Sequence, residues 1–296
     1  MALDHKGIRR LANAALSLFA AACLIPFALL IISSLSSEAS IIKNGYSFLP
    51  EELSLKAYEY LWLHRSELGR AYGITAFVTV VGTAASLAIT SMLAYPLSRR
   101  DMPLSRFWTF LVFFTLLFNG GLVPTYLVYT QIFDIKNTIF GLLVPGLLMN
   151  GFNVLLVRTF FLTSIPPALI EAASIDGAGE IKIFYRIILP LSLPIMATIG
   201  LFQAITYWND WFNGLIYLTN SKLFGIQTIL TKMIMDIQFL TSNSNAAGTG
   251  AAQAAAQLPS TSVRMAIAAV GVLPILIAYP FFQKYFVKGI TIGAVK

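Results

Sequence analysis

Charge is what this chain has least of. Asp, Glu, Lys and Arg make up 11% of its 296 residues, against about 25% in a soluble globular domain. So few charges cannot coat a water-facing surface of this size. Cysteine occurs once, at Cys23, so an internal disulfide is excluded and the residue reads as an ordinary packing position. The only histidines are His5 and His64, both outside the apolar runs. No Ser-His pair, no metal-spaced His/Glu cluster and no phosphate-cradling glycine loop closed by lysine is present. Enzyme chemistry, a bound metal and an ATPase site within this chain all lack residues to carry them. Hydrophobic residues reach 57%, which excludes a disordered or collagen-like chain.

What the chain does have is six apolar runs, over about 11–32, 71–97, 107–129, 138–161, 191–218 and 263–287. Each is near the ~20 residues that a helix needs to cross a ~30 Å hydrocarbon core. None shows the period-two alternation of a barrel strand, and helices satisfy their own backbone in lipid. The expected fold is all-α, a polytopic membrane bundle of six transmembrane helices forming one domain over 1–296. The first run opens on Lys6, Arg9 and Arg10, and Ala20-Ala21-Ala22-Cys23 loosely resembles an export cleavage site. Its apolar stretch continues to Ile32, longer than a signal h-region, so it reads as an anchor.

Basic residues near the span ends give the orientation. An amino terminus in the cytoplasm places twelve Lys and Arg inside and eight outside, where acidic residues such as Glu38, Glu51 and Glu52 nearly cancel them. Both termini are therefore expected in the cytoplasm. The net charge of +7 then belongs to the membrane surface and not to nucleic acid. Outer loops are expected over 33–70, with a short amphipathic helix near Leu53–Leu63, and over 219–262, whose stretch from Ser242 to Ser260 is poor in anchoring residues. A cytoplasmic loop covers 163–190.

That loop contains Pro166-Pro167-Ala168-Leu169-Ile170-Glu171-Ala172-Ala173-Ser174-Ile175-Asp176-Gly177. Prolines suit a first helical turn, Ala168 to Ile175 is a strong helix former and Gly177 a natural stop. A second helix is expected from Glu180 to Leu189, broken at Pro190. On these grounds the short helix is either an interfacial connector or a docking peg for a cytoplasmic partner.

Glu171-Ala172-Ala173, then three residues, Gly177, nine residues, Ile187, one residue and Leu189-Pro190 resemble the loop signature of permeases in binding-protein-dependent ABC importers. The ending Gln283 to Lys296 is similar to the tail of carbohydrate-importer permeases. Asn119-Gly120-Gly121-Leu122-Val123-Pro124 and Trp208-Asn209-Asp210-Trp211 resemble the oligosaccharide-handling subgroup, and the chain most resembles the second, maltose-type permease subunit. The resemblance implies a type I permease fold in a bacterial inner membrane, paired with a different permease as a heterodimer. It also implies two cytoplasmic ATPase subunits that bind ATP and Mg, no cofactor in this chain, and an extracytoplasmic binding protein that delivers an oligosaccharide. Glu171, Ala172, Ala173, Asp176, Gly177, Leu189 and Pro190 become the expected ATPase-coupling residues, with the tail from Lys288 reaching the ATPase pair. Transport would proceed by alternating access.

Asp210 is the acidic residue that falls within an apolar run, ~28 Å along the fifth span at 1.5 Å per residue. An intramembrane carboxylate normally faces a cavity or a partner. Its neighbours Trp208, Asn209, Trp211 and Asn213 offer stacking faces and amides, which suit the CH-rich faces and hydroxyl edges of sugars, and Asn209 and Trp208 are the first candidates, with Asp210 as their companion. The competing reading is an aromatic belt at the membrane surface. Asn119 and Asn153 join the expected substrate path, although interhelical hydrogen bonding explains such amides equally well. Gly120-Gly121 with Pro124, and Pro145-Gly146, are expected to bend or unwind their helices. Within the same class an amino-acid or peptide permease is the alternative. An ion-coupled secondary transporter would call for inverted repeats and several intramembrane charges, and neither is evident here.

Overall fold

A computed structural model describes residues 5–243 and 261–294. The outer-loop stretch 244–260 and the side chains of the tail from Lys284 to Lys296 lie outside the described residues. Helices dominate, and the described residues contain no strand beyond one antiparallel bridge between Ser36 and Leu53. In chain order the helices are α1 His5–Ser34, α2 Glu38–Asn44, α3 Lys56–Leu63, α4 Arg65–Ser98 and α5 Ser105–Leu117. They continue as α6 Leu122–Leu127, α7 Phe140–Leu143, α8 Gly151–Ser164, α9 Pro167–Ile175 and α10 Glu180–Ile183. The last four are α11 Leu193–Trp208, α12 Phe212–Tyr217, α13 Ile226–Asn243 and α14 Thr261–Ala294. Two compact units form, one of residues 1–68 with 230–274 and one of residues 69–229 with 275–296.

Among the described residues two helices are singly long and apolar enough to cross a membrane, Gly7–Ser34 within α1 and the 34-residue α4. The runs over 107–129 and 138–161 bend at the Gly120-Gly121 and Pro145-Gly146 positions where bends are expected, and the run over 191–218 is interrupted as well. The third breaks at Phe118-Asn119-Gly120-Gly121, and the axis turns by 112° between α5 and the helix that runs from Leu122 to Ile132. Gly121 holds φ +88, open to glycine without cost, and its N–H donates to Asn119 Oδ1 at 2.9 Å. In the fourth, Pro145-Gly146 leaves non-helical backbone before α8, which Asn150 caps by accepting from the N–H groups of Phe152 at 2.9 Å and Asn153 at 3.4 Å. The fifth turns by 79° at Ser192, between the helix ending at Leu191 and α11. Hydropathy counts side chains and is blind to the backbone direction that these Gly, Pro and Asn residues set. The sixth run forms the single helix α14, whose 34 residues extend past the expected end.

In the first unit, the chain after α1 is pinned by the Ser34 hydroxyl, 2.7 Å from Tyr58 Oη. The expected helix at Leu53–Leu63 begins three residues later, because Leu53 pairs with Ser36. Glu38 then caps α14. Its Oε1 and Oε2 accept from the backbone N–H groups of Thr261 and Ser262, each at 2.9 Å. A carboxylate there answers unpaired donors and the positive helix end together. Burial works to raise the Glu38 carboxyl, but the N–H groups of Ser262 and Thr261 outweigh it and hold the group below its ordinary 4.5. A depressed carboxylate stabilises fully above its unfolded value and loses that contribution as the pH falls through the folded one. Glu38→Gln should therefore lower the thermal midpoint by roughly 2–4 °C at neutral pH, the weight of about 1 kcal/mol of capping. The difference between variant and parent should vanish at acid pH; a midpoint difference that persists there would refute the cap.

In the second unit, Ala94, Leu97, Val157, Ile183, Ile188 and Ile199 belong to one core cluster. Val78, Leu142, Leu143, Tyr207, Leu218 and Phe224 form another. Small residues permit the close approaches between helices. A Cβ on Gly151 would meet the Val112 carbonyl of α5, and one on Gly82 would overlap the Tyr207 ring of α11.

Candidate functional site

The loop motif folds as its residues dictate. Pro167 opens α9, where its missing N–H is no loss. At the other end Gly177 adopts φ +75, the N–H of Ala178 donates to Ala173 O at 2.9 Å and that of Gly177 to Ser174 O at 3.1 Å. This is a Schellman stop, and it needs a residue free to adopt positive φ. Ile170, Ala173 and Ala178 pack partly against the neighbouring core. The opposite side holds Leu169, Ala172 and Ile175 at three-residue spacing, all exposed, with Ile175 reaching 85% exposure. Glu171, Asp176 and Gly177 are exposed as well.

Beyond Gly177 the chain does not end its helix at Pro190 as expected. It runs from Glu180 through a π-turn at Phe184–Ile188 to Leu191, with Leu189 and Pro190 in the last turn. Pro190 has no N–H to offer, and the wider π ladder ahead of it absorbs the missing bond. Glu180 accepts a hydrogen bond from the Tyr95 hydroxyl and a second at 3.0 Å from Arg99 Nη2. The same nitrogen donates to Asp101 at 2.9 Å and holds that carboxyl below its ordinary 3.8.

The second constellation surrounds the interval between α11 and α12. Asp210 does not stand inside a continuous helix. It sits in the break and accepts at 3.2 Å from the N–H of Asn213, so it starts α12. Asn213 is buried and donates to the Pro145 carbonyl at 2.9 Å. Trp208 is also buried, its ring 6.4 Å from that of Tyr72. Asn209 is exposed and donates to the Ile205 carbonyl, and Trp211 is exposed beside Phe212. These five residues are gathered at one break. Asn153 lies elsewhere, buried in α8, where it donates to Gln203 at 3.3 Å while Gln203 donates to the Leu147 carbonyl at 2.6 Å. Asn119 is exposed, and its Oδ1 accepts from the N–H of Gly121 in its own turn.

Three participants escaped the sequence reading. Gln203 and Tyr207, whose hydroxyl donates to the Leu143 carbonyl at 2.8 Å, were visible as polar groups four residues apart in an apolar run. Glu180 joins Tyr95 across 85 positions, and a single sequence carries no signal for that pairing.

Residues 72–292 match the family model described as the binding-protein-dependent transport system inner membrane component. A polygalacturonan/rhamnogalacturonan transport system permease protein of Bacillus subtilis is 36% identical over 95% of either chain. Protein LplC of the same organism is 37% identical over 92% of this chain and 89% of its own length. Among solved structures, a bacterial ABC transporter involved in the import of the acidic polysaccharide alginate superposes with a TM-score of 0.78. It is 31% identical, and the match covers 97% of this chain and 99% of that one. A family model spanning most of the chain, a relative of matching length and a shared type I permease fold agree, and the chain belongs to the permeases of binding-protein-dependent ABC importers, membrane transport components and not enzymes.

Proposed function

We propose that this chain is one of two different permease subunits of an ABC importer that moves oligosaccharides into a bacterial cytoplasm by alternating access. Six spans with both termini in the cytoplasm would place α9 inside, where the exposed Leu169, Ala172 and Ile175 seat in an ATPase subunit. Two such subunits would bind ATP and Mg, and an extracytoplasmic binding protein would deliver the sugar. ATP-driven closure would pull α9 and open the cavity outward; hydrolysis would reset it.

The observation that carries the sugar assignment is the pair of whole-length likenesses, one to a permease named for polygalacturonan and rhamnogalacturonan and one to an alginate importer. One likeness is to an importer of an acidic polysaccharide and the other to a permease named for a polymer of galacturonate, so oligouronides are the first substrates to test. Of the residues at the break, Asn209 and Trp211 have the free surface that a passing sugar needs, one as an amide and one as a stacking face. Trp208, Asp210 and Asn213 shape the path at the break, Trp208 against Tyr72, while Asn119 shapes its own turn and Asn153 joins α8 to Gln203 of α11.

The test is ATP-dependent uptake by the assembled importer in proteoliposomes, with labelled oligogalacturonides against neutral oligosaccharides, amino acids and peptides. Oligosaccharide uptake that requires ATP and the binding protein is expected. Trp211→Ala should raise the KM on the order of tenfold, taking for the sugar face the lower part of the range of about 1–3 kcal/mol that a nucleobase gains on an aromatic platform. Uptake of amino acids or peptides alone, or uptake driven by an ion gradient without ATP, would overturn the reading.

A further inference from the structure

Within the second unit helix α4 continues unbroken from Gly69 to Ser98, about 45 Å at 1.5 Å per residue. The helix pairs α5 with α6, α8 with α9 and α10 with α11 are bent by 112°, 78° and 79°, and a bent pair yields at its corner before it transmits a push. At one end α4 is tied to the loop. Both carboxylate oxygens of Glu180 are taken, one by the hydroxyl of the buried Tyr95 and one by Arg99 at 3.0 Å. The Tyr95 ring lies 5.3 Å from that of Phe184, in the π-turn that follows Glu180. Only Ala178 and Gly179 separate Glu180 from Gly177, and Ala178 is bonded back into α9.

Toward the other end α4 is tied to the break. Gly82 lies against the Tyr207 ring, one residue before Trp208. The Tyr72 ring lies tilted, 6.4 Å from that of Trp208, and Thr75 Oγ1 accepts at 3.0 Å from the N–H of Ile226 at the start of α13. From Tyr95 to Gly82 is about 20 Å along the helix.

We propose that Glu180 is a positioning residue for transport: through Tyr95 and Arg99 it locks the segment that follows α9 to the end of α4, so that displacement of α9 is carried along α4 to the break at Trp208–Trp211. The inference rests on the importer function proposed above and adds the residues through which the loop grips its lever. A surface ion pair alone is worth little. The Glu180 arrangement differs in that the hydroxyl of Tyr95, a residue only 8% exposed, shares the same carboxylate, so the carboxylate cannot move to another partner without breaking two bonds at once.

The experiment uses the complete importer in proteoliposomes and reads oligosaccharide taken up per ATP hydrolysed, a ratio that simple loss of folded protein does not change. Glu180→Ala should assemble with its partners and keep ATP hydrolysis within about twofold. Its uptake per ATP should fall on the order of tenfold, in the range of intersite coupling energies. Glu180→Gln, which still accepts from Tyr95 and loses only the charge, should recover part of the ratio. An unchanged ratio in Glu180→Ala, or uptake and hydrolysis falling by one common factor, overturns the proposal. Should Glu180→Ala fail to assemble, Tyr95→Phe removes a single atom and is read the same way: a lowered ratio supports the clamp and a parental ratio refutes it. A parental importer with no ATP-dependent oligosaccharide uptake would instead fail the functional assignment, and this inference with it, before any variant is made.

Discussion

Replacing Ile175 by aspartate should cut ATP-driven uptake by on the order of thirtyfold or more without unfolding the chain. The side chain is 85% exposed, so within this subunit it packs against almost nothing and its loss removes no core. A carboxylate in the last turn opposes the helix dipole, at a cost of about 0.3–1 kcal/mol, which a helix tied down by Ile170, Ala173 and a Schellman stop tolerates. The large effect comes from docking. An exposed isoleucine flanked by Leu169 and Ala172 on one helical face has the character of an interface anchor, and anchors of that kind carry about 2–4 kcal/mol. At 1.4 kcal/mol per factor of ten, the lower figure already gives about thirtyfold. Copurification of the ATPase subunits should fall in step with uptake, and Ile175→Val should keep both. Aspartate at 175 with full ATPase binding and near-parental uptake would show that α9 is not the docking surface.

The features of α9 were legible because they are local. Proline at the first turn, a run of helix formers and a glycine at the stop each act within four residues of where they stand, and the +75° φ of Gly177 is the conformation that its residue type announces. Apolar content was legible too, since it sums over a window. What a window cannot show is direction. The Gly120-Gly121 and Pro145-Gly146 positions stand out in the sequence as interruptions while Asn209-Asp210 reads as part of a continuous span, and only backbone geometry shows a 112° turn at the first and a break at the last. Residue type alone also misjudged availability at the substrate path. By sequence Trp208 stands ahead of Trp211 as a stacking face, but Trp208 is buried at the end of α11 beside Tyr72, while Trp211 is exposed in the break. Pairs far apart in the chain, Tyr95 with Glu180 and Asn153 with Gln203, belong to tertiary structure and leave no mark on either partner's neighbours.

The second large effect is expected at Gly82, where leucine should abolish transport. A Cβ there overlaps the Tyr207 ring, so a whole side chain forces α4 and α11 apart or expels the tyrosine. Tyr207 cannot leave cheaply: it is 2% exposed, and its hydroxyl donates to the Leu143 carbonyl at 2.8 Å. Moving it strands a buried hydroxyl and a carbonyl, at about 1–3 kcal/mol for such groups, on top of about 1–3 kcal/mol of overpacking. Gly73, on the same helix, has nothing within 4 Å of an added Cβ, and Gly73→Ala should leave uptake near parental. The contrast separates a helix-propensity effect, which would act alike at both glycines, from loss of the α4–α11 contact, which acts at one. A lowered thermal midpoint for Gly82→Leu with assembly partly recovered in Gly82→Ala/Tyr207→Leu, where the smaller residue vacates the space, would assign the effect to that contact. Near-parental uptake by Gly82→Leu would mean that α4 and α11 separate freely, and a lever that separates freely from its load could not work the break at Trp208–Trp211.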